Sequence, residues 1–271
     1  TTTTQESEVK PEEVLECLKL KPVDDLVRIQ QDQLKFHSFP KRFLPVVDAQ
    51  WREFPVMMDE PEALMEMGTL VKVPIIAGVN QLEGYGMLMD FTDKIGGYSN
   101  LRHVDKVKET LRQSLKFVFE EESPTVYDVM FEAIWKLYFG EPTDNNGYHR
   151  ALTKKLLALF GDLKSHAGFW TLTKKLTRNS KPPAYAYVFS HRNSEFTSYF
   201  RERMEAGNIT TSSLYDIPPW RDLNYVLSHV GGNESLGVVE EITKAKRSIK
   251  GTPANMEEVM VKVWTSFANY G

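Results

Sequence analysis

Few side chains in this sequence could do chemistry, and their neighbours say of what kind. Its 271 residues hold six histidines and a single cysteine, Cys17. Among the acids Glu83 stands apart by position, because it follows the apolar run Val73-Pro74-Ile75-Ile76-Ala77-Gly78-Val79. That run is rich in branched residues and predicts a strand covered on both faces in a parallel sheet. Asn80 to Gly86 is then a loop at the strand's carboxyl end, the edge on which open parallel sheets build their sites. A surface ion pair is the competing use of the same glutamate. A serine nucleophile on a strand-to-helix turn would be written Gly-x-Ser-x-Gly, and that pattern is absent from these residues. Asp144-Asn145-Asn146-Gly147 lacks the alternating ligands and closing glutamate of a calcium loop, so it reads as a turn. No metal and no cofactor are expected.

The elements that must position these groups alternate in type. From Pro11 to about Gln31, apolar residues at Val14, Leu18 and Leu20, then at Val23, Leu26 and Ile29, predict two short helices broken at Lys21-Pro22. Phe43 to Asp48 is a short strand or extended segment, and Pro61 to Met67 a helical turn ending at Gly68. Val104, Val107, Leu111, Leu115 and Val118 recur at helical spacing between Leu101 and Glu122. Ser123-Pro124 caps a second helix, with Tyr127, Met130, Ile134 and Leu137 on one face and a stop at Gly140-Glu141-Pro142. A third runs from about Tyr148 through Leu152, Leu156 and Leu159 to Leu163. Ala184 to Phe189 is a second strand, and a long polar connection follows from His191 to Ile217. The last helix opens on a capping box at Asn255 and Glu258 and should bury Val259, Val263 and Phe267. There is no internal repeat. Strands alternating with helices make this an α/β chain.

Composition narrows the partners. A formal charge of −4 argues against nucleic acid, whose phosphates select a basic surface. The apolar runs are far below the roughly 18 residues that cross a bilayer. Thr1 to Glu8 is polar and lacks the plan of a signal peptide, so a targeting segment is expected outside this chain. The lone cysteine suits a reducing compartment or a chance core thiol. Asn208-Ile209-Thr210 and Asn233-Glu234-Ser235 are glycosylation triplets and point instead to an extracellular protein. On these grounds both readings stay open.

Taken together, several of these segments resemble the cholinesterase/type-B carboxylesterase family of α/β-hydrolases. Cys17-Leu18 followed by Lys21-Pro22 resembles its "CLR-x-(K/R)-P" helix, and Phe43 to Asp48 its "F-x-PVVD" segment. Val73 to Gly84 is similar to its "VP-x-(I/L)-x-G-x-x-x-x-EG" strand and loop, and Gly161-Asp162 to the "GD" that opens a later helix. Tyr187 to Arg192 resembles "Y-x-F-x-HR", and Trp264 to Ala268 resembles "W-x-x-FA". Each motif is weak alone, but their order and spacing hold across nearly the whole chain. The resemblance implies an α/β-hydrolase fold, with residues 1–271 the carboxyl-terminal portion of one cholinesterase-like domain, truncated at both ends.

Residue by residue, the resemblance implies a site that has lost its chemistry. Glu83 occupies the slot of the family's acid, which orients and stabilises the catalytic imidazole. The family's histidine motif, "HG-(D/Y)-E-(L/I)-x-(Y/F)-(V/I)-FG", falls on Pro219 to Ser228, so Pro219 fills the histidine slot and Trp220 the glycine slot. Proline has no titratable group and can neither take nor return a proton. His229 lies ten residues further on, and His191, in the "HR" match, is expected to be structural. No catalytic residue is therefore expected, with Glu83 vestigial. The family's pattern also implies that Cys17 forms a disulfide with a cysteine before Thr1, and the two triplets mark Asn208 and Asn233 as the expected glycan sites.

A hydrolase framework without its base resembles the non-catalytic branch of the family, the cholinesterase-like adhesion proteins. Neuroligin-like sequences of that branch commonly keep the histidine motif, so the resemblance leans toward a neurotactin-like ectodomain. It implies a single-pass cell-surface protein that binds an extracellular protein, of secreted immunoglobulin-like type, in heterophilic adhesion. It further implies a homodimer through a bundle of helices that includes Tyr127 to Tyr138. The insert Ser194 to Tyr215 is either a solvated loop or a lid over the former gorge. The alternative is a secreted or membrane-bound carboxylesterase whose nucleophile lies upstream of Thr1.

Overall fold

A computed structural model of the chain describes residues 10–68, 72–120, 122–140, 148–179, 182–191 and 254–271. Helices dominate. Pro11–Lys19 (α1) and Val23–Gln33 (α2) flank Lys21-Pro22 as the spacing predicts, because proline cannot continue the first helix but can enter the second. Pro61–Glu66 forms α3, and Gly68 follows it at φ 69°. Phe43 to Asp48 forms no strand and stays an irregular segment, held where the Asp48 carboxylate accepts from the Val56 and Met57 amides at 3.2 and 2.8 Å.

Ile75–Asn80 (β1) pairs in parallel with Ala184–Phe189 (β2), in register from Ile75 opposite Ala184 to Asn80 opposite Phe189. Both strands stand where the sequence puts them. Coverage differs from expectation: only Val79, Asn80 and Phe189 are buried on the two strands. Between the strands come Tyr85–Lys94 (α4), a 3₁₀ turn at Tyr98–Arg102, Val104–Leu115 (α5), Pro124–Tyr138 (α6), Tyr148–Gly161 (α7) and Ala167–Asn179 (α8). Ala254–Tyr270 (α9) completes the described elements.

The core lies among α4, α5, α6 and α7. Phe91, Val107, Leu111, Leu115, Phe131, Leu152, Leu156 and Phe160 are fully buried there, and the Phe91 and Phe160 rings meet at 5.7 Å. On α5 Val107, Leu111 and Leu115 of the predicted stripe are buried, joined by Ser114, while Val104 is partly buried. On α6 the stripe is rotated from expectation: Tyr127, Phe131 and Trp135 are buried at intervals of four, Met130 and Ile134 are at the edge, and Leu137 is 78 % exposed. The largest rings win the interior because they remove the most apolar area from water. Ser123 caps this helix, its Oγ accepting from the Val126 amide at 3.4 Å, and Gly140 ends it at φ 63°.

A similar rotation affects α9. Met260 is buried there and packs with Phe189 while Val259 and Val263 are exposed; Phe267 meets Tyr185 edge-on at 6.0 Å. The helix also begins at Ala254, which puts Asn255 in its first turn rather than at its cap.

The amino-terminal segment attaches by few points. No residue of α1 or α2 is buried, so the apolar faces predicted for them lie open among the described residues. Phe36 is buried in the main core and Phe39 packs against it. Beside it Lys94 Nζ donates to the Lys35 carbonyl at 2.9 Å and sits over the Phe36 and Phe117 rings, where burial lowers its pKa. Lys175 on α8 clasps Glu62 and Glu66 of α3 at 2.8 and 2.9 Å.

Between α5 and α6, Arg112 pairs with Asp128 and Glu132, and Lys108 with Glu132. Tyr127 donates its hydroxyl to the Arg112 carbonyl beneath them. Burial pushes the Tyr127 phenol from 10.0 up to about 12, opposed by the nearby Arg112 charge. An acid whose pKa rises on folding stabilises the fold fully below its unfolded value and loses that contribution as pH climbs through the folded one. Alkaline titration followed at the phenolate absorbance band should therefore show Tyr127 ionising late, together with loss of structure, and Tyr127→Phe should remove that step. Ionisation of Tyr127 near pH 10 with the fold intact would contradict the assignment.

Candidate functional site

The carboxyl end of β1 is where the sequence places its candidate acid, and the structure builds a compact polar cluster there. β1 ends in Asn80, which is 3 % exposed. Only four residues separate it from α4, so the loop is shorter than expected, and α4 itself carries no sequence signal strong enough to set it apart from the loop. Glu83 Oε1 accepts from the Asn80 amide at 3.0 Å and from Asn80 Nδ2 at 2.9 Å. Among the described residues Glu83 is thus neither a free surface acid nor part of a surface ion pair. It closes a tight turn by bridging back to the strand.

Close backbone packing fixes that turn against α7. A methyl group built on Gly84 would fall onto the Gly161 nitrogen and the Leu157 oxygen and lie 2.8 Å from the Phe160 carbonyl carbon. Only glycine permits this approach. The Gly161-Asp162 pair does not open a helix, as the motif implies. It lies at a single π turn, Asp162–His166, that joins α7 to α8 as one continuous rod. Such an inserted residue shifts the following side chains around the helix and is frequent at functional positions.

The π turn swings His166 toward the end of β1. His166 Nε2 lies 2.9 Å from the Asn80 carbonyl oxygen, and Nδ1 lies 3.3 Å from Asp162 Oδ1. Tyr138 of α6 donates its hydroxyl to Asp162 Oδ2 at 2.5 Å. Burial and that hydrogen bond raise the Tyr138 pKa, so the phenol stays protonated. Asn80, Glu83, Tyr138, Asp162 and His166 form one connected group from three parts of the chain. Sequence reasoning found Glu83 and the Gly161-Asp162 pair but missed His166, whose only signal was its place four residues after Asp162.

The remaining candidates stand apart from this cluster. His191 follows β2 and packs edge-on to Phe189 at 6.3 Å. Cys17 is exposed on α1. Pro219, Trp220, His229, Asn208, Asn233 and the insert Ser194 to Tyr215 lie outside the described residues. Among the described residues no group of three or more histidine, cysteine or acidic side chains could hold a metal ion, and no helix is long and apolar enough to cross a membrane.

The order strand, glutamate turn, helical layer and second parallel strand is matched by a known family over almost the full sequence: the model of the Carboxylesterase family covers residues 2–271. The chain belongs to the carboxylesterase family. Its fold is accordingly that of the α/β-hydrolases, here mostly helical with a small parallel sheet. This carboxylesterase-family chain is similar to Neuroligin-2 of Homo sapiens, at 30 % identity over 192 residues, covering 66 % of the chain and 19 % of that protein. Neuroligin-2 of Rattus norvegicus matches at 29 % over 192 residues, with the same 66 % and 19 % covered. Neuroligin-3 of Mus musculus matches at 29 % over 196 residues, covering 66 % of the chain and 20 % of that protein. The aligned region thus spans about a fifth of the length of these relatives.

Proposed function

We propose that this carboxylesterase-family chain belongs to a cholinesterase-like adhesion protein, a cell-surface ectodomain that binds an extracellular protein and does not hydrolyse esters. The observation that carries this reading is Pro219 in the slot of the family's histidine, since proline's amide nitrogen has no basic lone pair and cannot act as general base. The similarity to neuroligins supports it. A large rigid framework relieved of turnover still offers a binding surface, and fold by itself dictates neither use. The partner is a secreted protein of immunoglobulin-like type, the anchor a single membrane span, and the surface is glycosylated at Asn208 and Asn233. Cys17, exposed on α1, is bonded to a cysteine outside this chain.

A homodimer through α6 completes the proposal. Val126, Val129 and Leu137 lie 50, 70 and 78 % exposed along one side of that helix, an apolar stripe of the kind that pairs helices. Displayed on non-adherent cells, the full-length protein should recruit the soluble partner and aggregate cells only in its presence, and Leu137→Glu should halve the ectodomain's mass in solution. Aggregation without any partner, or a monomer before mutation, would remove the corresponding half of the proposal.

The second reading is an esterase whose serine lies upstream of Thr1. It is favoured by one observation, the retention of Glu83 on its turn at the end of β1. A Gly-x-Ser-x-Gly upstream would keep it alive.

A further inference from the structure

We propose that His166 acts as a proton-dependent latch on the turn that carries Glu83. The inference stands on the hydrogen-bonding capacity of the groups around one ring and is independent of whether the protein hydrolyses esters. His166 Nε2 faces the Asn80 carbonyl oxygen at 2.9 Å, and a carbonyl can only accept, so this nitrogen carries a proton. Nδ1 faces Asp162 Oδ1 at 3.3 Å. Asp162 already accepts the Tyr138 hydroxyl through Oδ2 at 2.5 Å, and the second oxygen of a carboxylate is an acceptor too, so Oδ1 takes a proton donor. Both ring nitrogens therefore donate, and the ring is an imidazolium when both contacts are made.

The groups facing this ring come from every element around it. Asp162 shares its π turn and Asn80 ends β1; behind these stand Tyr138 of α6, bonded to Asp162, and Glu83, bonded to Asn80. The His166 ring is also confined: a methyl on Gly161 would lie 3.1 Å from its Cε1. A ring so held cannot answer the loss of its second proton by turning away freely. Neutral His166 instead sets a lone pair of Nδ1 against the Asp162 carboxylate, and the bond to Asn80 or the bond to Asp162 is given up.

The consequence falls on Asn80. Its carbonyl is held by His166 on one side, while its amide and side chain are held by Glu83 on the other. Acidic conditions close the latch and order the turn from Gln81 to Gly84; alkaline conditions open it. Histidine is the side chain whose charge ordinarily changes between about pH 5 and 8, the interval over which the latch is tested.

Two measurements on the complete ectodomain test this. Nitrogen chemical shifts of His166 at pH 5.5 should show both ring nitrogens protonated. Hydrogen exchange of the amides from Gln81 to Tyr85, corrected for intrinsic rate, should lose about tenfold protection between pH 5.5 and 8, and His166→Gln should make that protection independent of pH. If His166→Gln does not fold, the wild-type shifts and exchange decide alone. A neutral ring at pH 5.5, or protection of the turn that does not change with pH in the wild type, would overturn the latch.

Discussion

Gly84→Ala should cost about 3 kcal/mol or more of stability, the largest loss expected from adding a single methyl to a glycine among the described residues. The added carbon lands on backbone atoms of α7, at Leu157, Phe160 and Gly161, and backbone of a packed helix has no rotamer with which to move aside. The comparison is Gly78, where the same methyl would strike only the outer ring atoms of Tyr187. That ring lies at a partly open face of β2 and can swing out, so Gly78→Ala should cost less than half as much. Urea unfolding of the two variants beside wild type checks the ranking. Equal midpoints for Gly84→Ala and wild type would mean that the turn does not press on α7 as described.

How much of this was legible from residues alone depends on the kind of signal. β1 and β2 were readable because unbroken branched and aromatic runs leave few alternatives, and the break at Pro22 because proline chemistry is local. The buried faces of α6 and α9 were misread by about one residue. On α6 the periodic pattern admits both Met130-Ile134-Leu137 and Tyr127-Phe131-Trp135, and only the shape of the neighbouring helices chooses the rings. The apolar stripes of α1 and α2 were correctly helical, yet nothing in their spacing says what they face.

The site divides in the same way. Glu83 could be found because it sits after a strand at a short, recognisable interval. Its actual partner, Asn80, is three residues away and was within reach of sequence reasoning. His166 was not, since its approach to Asn80 spans 86 residues and depends on a π turn that no periodicity announces. The function reading rests on the opposite kind of evidence: Pro219 is a fact of sequence, and its place lies outside the described residues.

That substitution sets the second large effect. In serine hydrolases loss of the histidine base alone lowers turnover by roughly a million-fold, because nucleophile and base act as a unit. A carboxylate such as Glu83 cannot compensate; on the proposed reading its role in such a triad would be to hold an imidazole that Pro219 does not supply. Pro219→His by itself should restore nothing if the upstream serine is also missing. The central claim is that this carboxylesterase-family framework serves recognition rather than turnover, and hydrolysis of a chromogenic acetate ester by the purified full ectodomain tests it most directly. The account predicts a rate no higher than that of a heat-killed control. Turnover well above that control, abolished by mutating a serine upstream of Thr1, would contradict it and establish the esterase in its place.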